Sequence, residues 1–216
     1  MAKTKLLLTG FEPFAKVRRN PSWEGLAAIP VLPEGVERLC LPVDWRAADD
    51  AIRNALDEFK PDAVISFGVH SGGESGGRGY QTFYPETQAF NVDAASIADN
   101  GGDLRKGVLI DPDLPHTHAR QGNGIAELDA ALRAAGHESE ISQDAGRYLC
   151  NHAYYRVLEA RDSGESPIKM AAFVHVPPNR DMHPQGLADD AYPLAYQTLI
   201  DTYLGLLGAP SGGVLR

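Results

Sequence analysis

The chain has 216 residues, 43% of them hydrophobic and 23% charged, proportions of a folded globular protein with a substantial core and not of a disordered chain. A formal net charge of -9 argues against a nucleic-acid partner, which calls for a basic face. Cys40 and Cys150 are too few for a disulfide framework, and the apolar start "KLLLTG" is too short for a signal peptide or membrane span, so reduced thiols, no membrane partner and a cytoplasmic location are expected.

"KLLLTGF" (5–11) is a short apolar run ended by Gly10, the form of a buried strand that delivers its following loop to a sheet edge. In "NPSWEGLAAI" (20–29), Asn20 before Pro21 predicts an N-cap and the start of a helix. "VERLCLPV" (36–43) alternates as a strand, which points Cys40 toward a core face. Helical spacing over "DWRAADDAIRNALDEF" (44–59) is stopped by Pro61, and "DAVISFGV" (62–69) is a second buried strand.

The glycine-rich "HSGGESGGRG" (70–79) suits a backbone that approaches a ligand closely. It lacks the spacing of a P-loop, and no helix follows to complete a dinucleotide fingerprint. Residues 82–102 form strand-like pieces closed by Asn100-Gly101, a hairpin or excursion above the sheet. Helices are predicted over 123–137, with Gly136 as a stop, and over 147–161. A strand at 168–177 ends at Pro177, and a last helix at 187–208 carries Pro193 near its first turn. Strands alternating with helices imply a single α/β domain over 1–216, an α/β/α sandwich whose mixed, mostly parallel twisted sheet has helices on both faces. Ligands in such sheets sit beyond the strand ends, where Gly10, Gly68 and His175 fall.

Cys150 lies near the start of the helix in "DAGRYLCNHAYYRVLEA" (144–160). Taken alone, it is a small core hydrophobe or a nucleophile whose pKa the helix start lowers. Among the histidines, His175 stands near the end of a buried strand, where it is either a hydrogen-bonded core residue or a base at a loop rim. His116 and His118 form an H-x-H pair without a third ligand at recognised spacing, so no zinc or other metal is expected. His70, His137, His152 and His183 are taken as surface or loop residues, His70 being set apart by its place in the glycine loop.

Taken together, "LLLTGFEPF" with "NPSWE", "PETQAFNVDAASIADN", "SQDAGRYLCN" and "FVHVP" resemble the pyroglutamyl peptidase I family of cysteine peptidases, in that family's order over residues 6–177. The resemblance implies a cofactor-free thiol protease acting on peptides with N-terminal pyroglutamate, through a Cys150, His175 and Glu86 triad and a thioester. It also implies that Phe11 and Phe14 sandwich the pyroglutamyl ring, and that the enzyme is a homotetramer or homodimer. Asn20 is foremost a helix cap and, second, a residue of the pocket.

Three departures from the family pattern are visible: "GVHSGGESGGRG" in place of a shorter "GQAGGR" loop, Ser96 where the family often has arginine, and Ala15-Lys16 where glycines are usual, which predicts a stiffer first loop. Two rivals remain: a Cys-His amidohydrolase acting on another small amide, and a non-catalytic α/β binding protein that keeps Cys150 as core.

Overall fold

The structure is a computed structural model and describes residues 4–72 and 78–208. In chain order the elements are β1 (Leu6–Phe11), α1 (Pro21–Ala27), β2 (Val36–Leu41), α2 (Trp45–Phe59), β3 (Ala63–Val69), β4 (Tyr84–Glu86), β5 (Gln88–Phe90), β6 (Asp93–Ala94), β7 (Lys106–Val108), β8 (Ala119–Gln121), α3 (Ile125–Ala134), α4 (Leu149–Asp162), β9 (Met170–Val176) and α5 (Ala191–Gly208).

Period-two alternation builds the sheet. Its order is β2-β1-β3-β9-β4, with the first four strands parallel and β4 antiparallel to β9. Leu6, Leu8, Ile65, Phe67, Ala172 and Val174 point to one face, against Leu26 of α1, Leu128 of α3 and Tyr196, Leu199 and Tyr203 of α5. Leu7, Phe11, Val64, Ala171 and Phe173 point to the other face, against Trp45, Ile52 and Leu56 of α2 and Leu149, Tyr154 and Leu158 of α4. Because helices cover both faces, β1 and β3 are buried along their whole length, which is why their sequences are continuous apolar runs.

The predicted boundaries are explained by local chemistry. Asn20 Oδ1 accepts from the Ser22 amide at 3.2 Å and caps α1, and Asp44 Oδ1 accepts from Ala47 N at 2.8 Å and caps α2. The α2 helix ends at Phe59, and Lys60 turns the chain left-handed at φ 52° just ahead of Pro61. The α5 helix begins at Ala191 instead of 187, with Pro193 in its first turn where no intrahelical N–H is needed.

Several expectations are corrected. Cys40 is half-buried, because β2 is an outer strand of the sheet and its second face is only partly covered. The excursion after β4 is more extensive than a hairpin: β5 pairs with β8 and β6 with β7, both antiparallel. Asn151 of α4 fastens it, its Oδ1 accepting from Phe90 N at 2.8 Å and its Nδ2 donating to Phe90 O at 2.8 Å and Val92 O at 3.2 Å.

His152, expected at the surface, is fully buried between two carboxylates, with Nδ1 2.9 Å from Asp93 and Nε2 2.9 Å from Asp49. His70 is buried as well; its Nε2 lies 3.0 Å from Thr82 O and its Nδ1 accepts from Gly72 N. Those two backbone partners demand a neutral ring with the proton on Nε2, consistent with burial pushing its pKa down to about 3.

Candidate active site

The carboxyl ends of β1, β3 and β9 reach one edge of the sheet. Cys150 is the second residue of α4 and sits over Gly68 near the end of β3. A Cβ added to Gly68 would lie 2.7 Å from Cys150 Sγ and 2.7 Å from Phe173 Cζ, so only a residue without a side chain leaves room for the sulfur. Across the parallel ladder Gly68 pairs with His175, which places the imidazole on the same face, one strand over. The Phe173 ring flanks that imidazole with centroids 5.0 Å apart.

The antiparallel strand β4 supplies the third group. Tyr84 pairs with His175 and Glu86 with Phe173, and the Glu86 carboxyl, fully buried, meets His175 Nδ1 through Oε1 at 2.7 Å. With Glu86 ionised, Nδ1 donates this bond and Nε2 is left as the basic nitrogen. Burial alone would raise Glu86, but its bond to His175 and the Arg78 guanidinium hold it below the usual carboxylate range. Burial also pushes His175 down, against the pull of Glu86.

The helix start is not the largest influence on the thiol. Burial pushes Cys150 up to about 12, with Glu86 adding to the rise while Arg78 and the Cys150 amide oppose it. These surroundings favour the neutral thiol and the neutral imidazole and keep Glu86 as the carboxylate.

Beside the sulfur, Phe11, Phe14, Asn20, Val43, Val69 and Tyr148 enclose a cavity of about 20 Å³. A cavity of this size has room for about one water molecule, so a five-membered ring needs a wider slot. Phe14 and Tyr148 face each other across it with centroids 6.0 Å apart. Phe14 is carried on a tight turn, bonded to Val17 in both directions, and Ala15 in that turn stands at φ 47°, the left-handed region that favours glycine. Asn20 serves both expected ends, capping α1 and lining this cavity; its Nδ2 also donates to Glu12 O at 3.0 Å.

A larger groove of about 750 Å³ runs between α2 and the end of α4, but its mixed lining, including Arg53, Asp57, Lys60 and Glu159, contains none of the thiol, imidazole or aromatic groups above.

The structure thus brings Cys150, His175, Glu86, Phe11, Phe14 and Asn20 to one edge. Three neighbours were not singled out from the sequence. Tyr148, just before α4, walls the cavity and donates to Ala98 O at 3.1 Å. Asn151 follows the thiol and ties it to the strand that continues from Glu86. Arg78 closes the glycine loop, its Nη2 lying 2.8 Å from Glu86 Oε1, 3.0 Å from Ser142 Oγ and 2.8 Å from Asp144 O. Aromatic and arginine positions next to motif residues were the available signal. Residues 73–77 of the glycine loop, expected to approach a ligand, lie outside the described residues. Ser96 is exposed, and His118, of the H-x-H pair, places Nδ1 3.1 Å from the Tyr155 hydroxyl.

Fold and site together define a class: an α/β enzyme with a thiol at a helix start and a carboxylate-bonded imidazole at the carboxyl edge of a mostly parallel sheet, the residue set of cysteine hydrolases. The sequence model of the pyroglutamyl peptidase family matches residues 4–201, and the chain belongs to that family. It is 37% identical over 182 residues to a pyrrolidone-carboxylate peptidase of Clavibacter michiganensis, covering 80% of this chain and 78% of that one. A pyrrolidone-carboxylate peptidase of Levilactobacillus brevis is 35% identical over 175 residues, 80% of this chain and 81% of its own. The crystal structure of Bacillus amyloliquefaciens pyroglutamyl peptidase I superposes with a TM-score of 0.82 at 26% identity, covering 94% of this chain and 98% of that one.

Proposed function

We propose that this peptidase removes N-terminal pyroglutamate from peptides, with Cys150 as nucleophile, His175 as acid and base and Glu86 as the group that orients and charges His175. The observation that carries this reading is the 2.7 Å bond between His175 and Glu86 on the face where Gly68 makes room for the Cys150 sulfur.

With burial favouring the neutral thiol, its proton leaves as the bond to carbon forms. Sulfur attacks the pyroglutamyl carbonyl carbon while His175 Nε2 takes the proton, and the imidazolium is stabilised by Glu86. The carbonyl oxygen becomes an oxyanion. The α4 helix has no side-chain cap, unlike α1 and α2, so the amides of its first turn are available to that oxyanion. His175 then returns the proton to the leaving amine, which departs with the rest of the peptide and leaves a thioester. Water, deprotonated by His175, attacks the thioester; pyroglutamate is released and the thiol reforms.

The lactam ring is uncharged and flat, which suits a slot walled by Phe11, Phe14 and Tyr148. Entry of the ring requires the Phe14 turn and Tyr148 to separate. A cytoplasmic homodimer or homotetramer belongs to the same reading, and size-exclusion chromatography with light scattering tests the assembly.

Hydrolysis of a chromogenic pyroglutamyl amide beside its prolyl analogue, with reductant and with or without chelator, tests the function. Turnover of the pyroglutamyl amide alone, unchanged by chelator, is expected. Turnover of another small amide in its place would favour a redirected amidohydrolase, and turnover of neither by folded protein would favour a binding protein.

A further inference from the structure

Arg78 lies within the shell around the thiol and imidazole. Its side chain is only 18% exposed, and its Nη2 bonds the same Oε1 of Glu86 that receives His175 Nδ1. The same Nη2 also lies within reach of Ser142 Oγ and Asp144 O, sharing its two hydrogens among three acceptors, and the guanidinium lies against the Tyr84 ring, whose centroid is 4.6 Å away. Tyr84 is itself held, its hydroxyl accepting from Gly79 N at 2.8 Å. A surface ion pair of median worth would show none of this anchoring.

A buried carboxylate needs a compensating charge. If His175 alone supplied it, the pair would rest as imidazolium and carboxylate, and the imidazole could not accept a proton. Arg78 is a permanent cation and removes that need. We propose that Arg78 is the electrostatic positioning residue of this site: bonded to Glu86 Oε1, it holds the carboxylate charged and in place, and leaves His175 neutral and ready to take the Cys150 proton.

The inference rests on the reading of Cys150, His175 and Glu86 as the reacting set. Among the described residues, besides Glu86 and Arg78, the groups facing His175 are the His70 ring, 6.5 Å away and held neutral by its backbone bonds, the Tyr84 phenol and, from the segment before α4, Asp144, which is paired with Arg147. Arg78 is the fixed cation that bonds the carboxylate of the set. Its charge works in the same direction on all three groups, lowering Glu86, His175 and Cys150.

The test compares Arg78→Gln and Arg78→Lys with the wild type by three readouts against pH: kcat/KM on a pyroglutamyl amide, the NMR titration of His175, and the rate at which iodoacetamide modifies Cys150, assigned by peptide mapping. Removing the cation is expected to move the His175 titration and the acid limb of kcat/KM up by about one pH unit and to slow Cys150 alkylation at neutral pH about tenfold. Arg78→Lys is expected to restore most of both shifts while turnover stays reduced, because an ammonium cannot reproduce the flat contact of the guanidinium with the Tyr84 ring.

A purely structural role would lower turnover and leave the titration and the alkylation profile where they were; that result overturns the inference. Should Arg78→Gln fail to fold, Ser142→Ala loosens the same guanidinium and gives the same directions at smaller size, and no shift there overturns it equally. Neither the titration nor the alkylation needs turnover. A wild type that hydrolyses no pyroglutamyl amide therefore counts against the proposed substrate, while the role of Arg78 is decided independently.

Discussion

Gly68 offers the sharpest test of how the sheet places the thiol. In Gly68→Ala the new methyl would stand 2.7 Å from both Cys150 Sγ and Phe173 Cζ. Ordinary contacts lie near 3.5–4.0 Å, so each neighbour must retreat by about 1 Å. Overpacking of this kind costs roughly 1–3 kcal/mol of stability. A displacement of about 1 Å at a nucleophile costs on the order of a hundredfold in rate. We expect kcat/KM on a pyroglutamyl amide to fall about a hundredfold, with a urea-unfolding free energy lower by about 2 kcal/mol.

A double-mutant cycle with Cys150→Ala isolates the sulfur contact. If the clash is with sulfur, Gly68→Ala destabilises the Cys150→Ala protein by about 1 kcal/mol less than it does the wild type. Gly68→Ala with turnover within threefold of wild type, or with no coupling to Cys150, would refute the placement of the thiol over Gly68.

Other perturbations address separate parts of the molecule. Cys150→Ser and His175→Ala should each abolish turnover of a pyroglutamyl amide with circular dichroism unchanged, and Glu86→Gln should reduce it less, since the amide oxygen still accepts from His175 Nδ1. Ala15→Gly should stabilise the protein by about 0.5–1 kcal/mol in urea unfolding, because relief of a left-handed residue gains about 1–2 kcal/mol and added freedom of the unfolded chain returns about half.

Burial pulls the His152 imidazole down, but its bonds to Asp49 and Asp93 outweigh this and hold it above its ordinary 6.5. Its contribution is therefore full below pH 6.5 and is lost as pH rises through the folded-state value; His152→Gln should cost about 3 kcal/mol at pH 6 and visibly less at pH 9, read from unfolding midpoints across that range. A cost independent of pH would contradict the ion pairing.

What could be read from the sequence divides by physical range. Strands β1, β3 and β9 were legible because burial on both faces writes continuous apolar runs, and α1 and α2 because Asn20 and Asp44 cap them locally. Strands β7 and β8 are three residues each and half-exposed or exposed, too short for any period to show. The burial of His152 depends on carboxylates 103 and 59 positions away, and no local pattern carries that.

Spacing alone left Cys150 as a core residue or a nucleophile; the family resemblance chose between them, and the structure supplied the opening at Gly68 and the Glu86 partner of His175. The balance that sets the thiol's pKa was not legible in the sequence, because a helix start is visible there, whereas the surroundings of the sulfur and the nearby Glu86 carboxylate are not. Arg78 was hidden for the same reason, its partners Glu86, Ser142 and Asp144 coming from three separate segments.

The central claim is that the Cys150 sulfur performs the reaction. Graded alkylation with iodoacetamide, quantified at each cysteine by peptide mapping and paired with residual hydrolysis of a pyroglutamyl amide, tests it most directly. The account predicts that activity falls in proportion to modification of Cys150 and is indifferent to modification of Cys40. Protein fully modified at Cys150 that still hydrolyses the pyroglutamyl amide would contradict it.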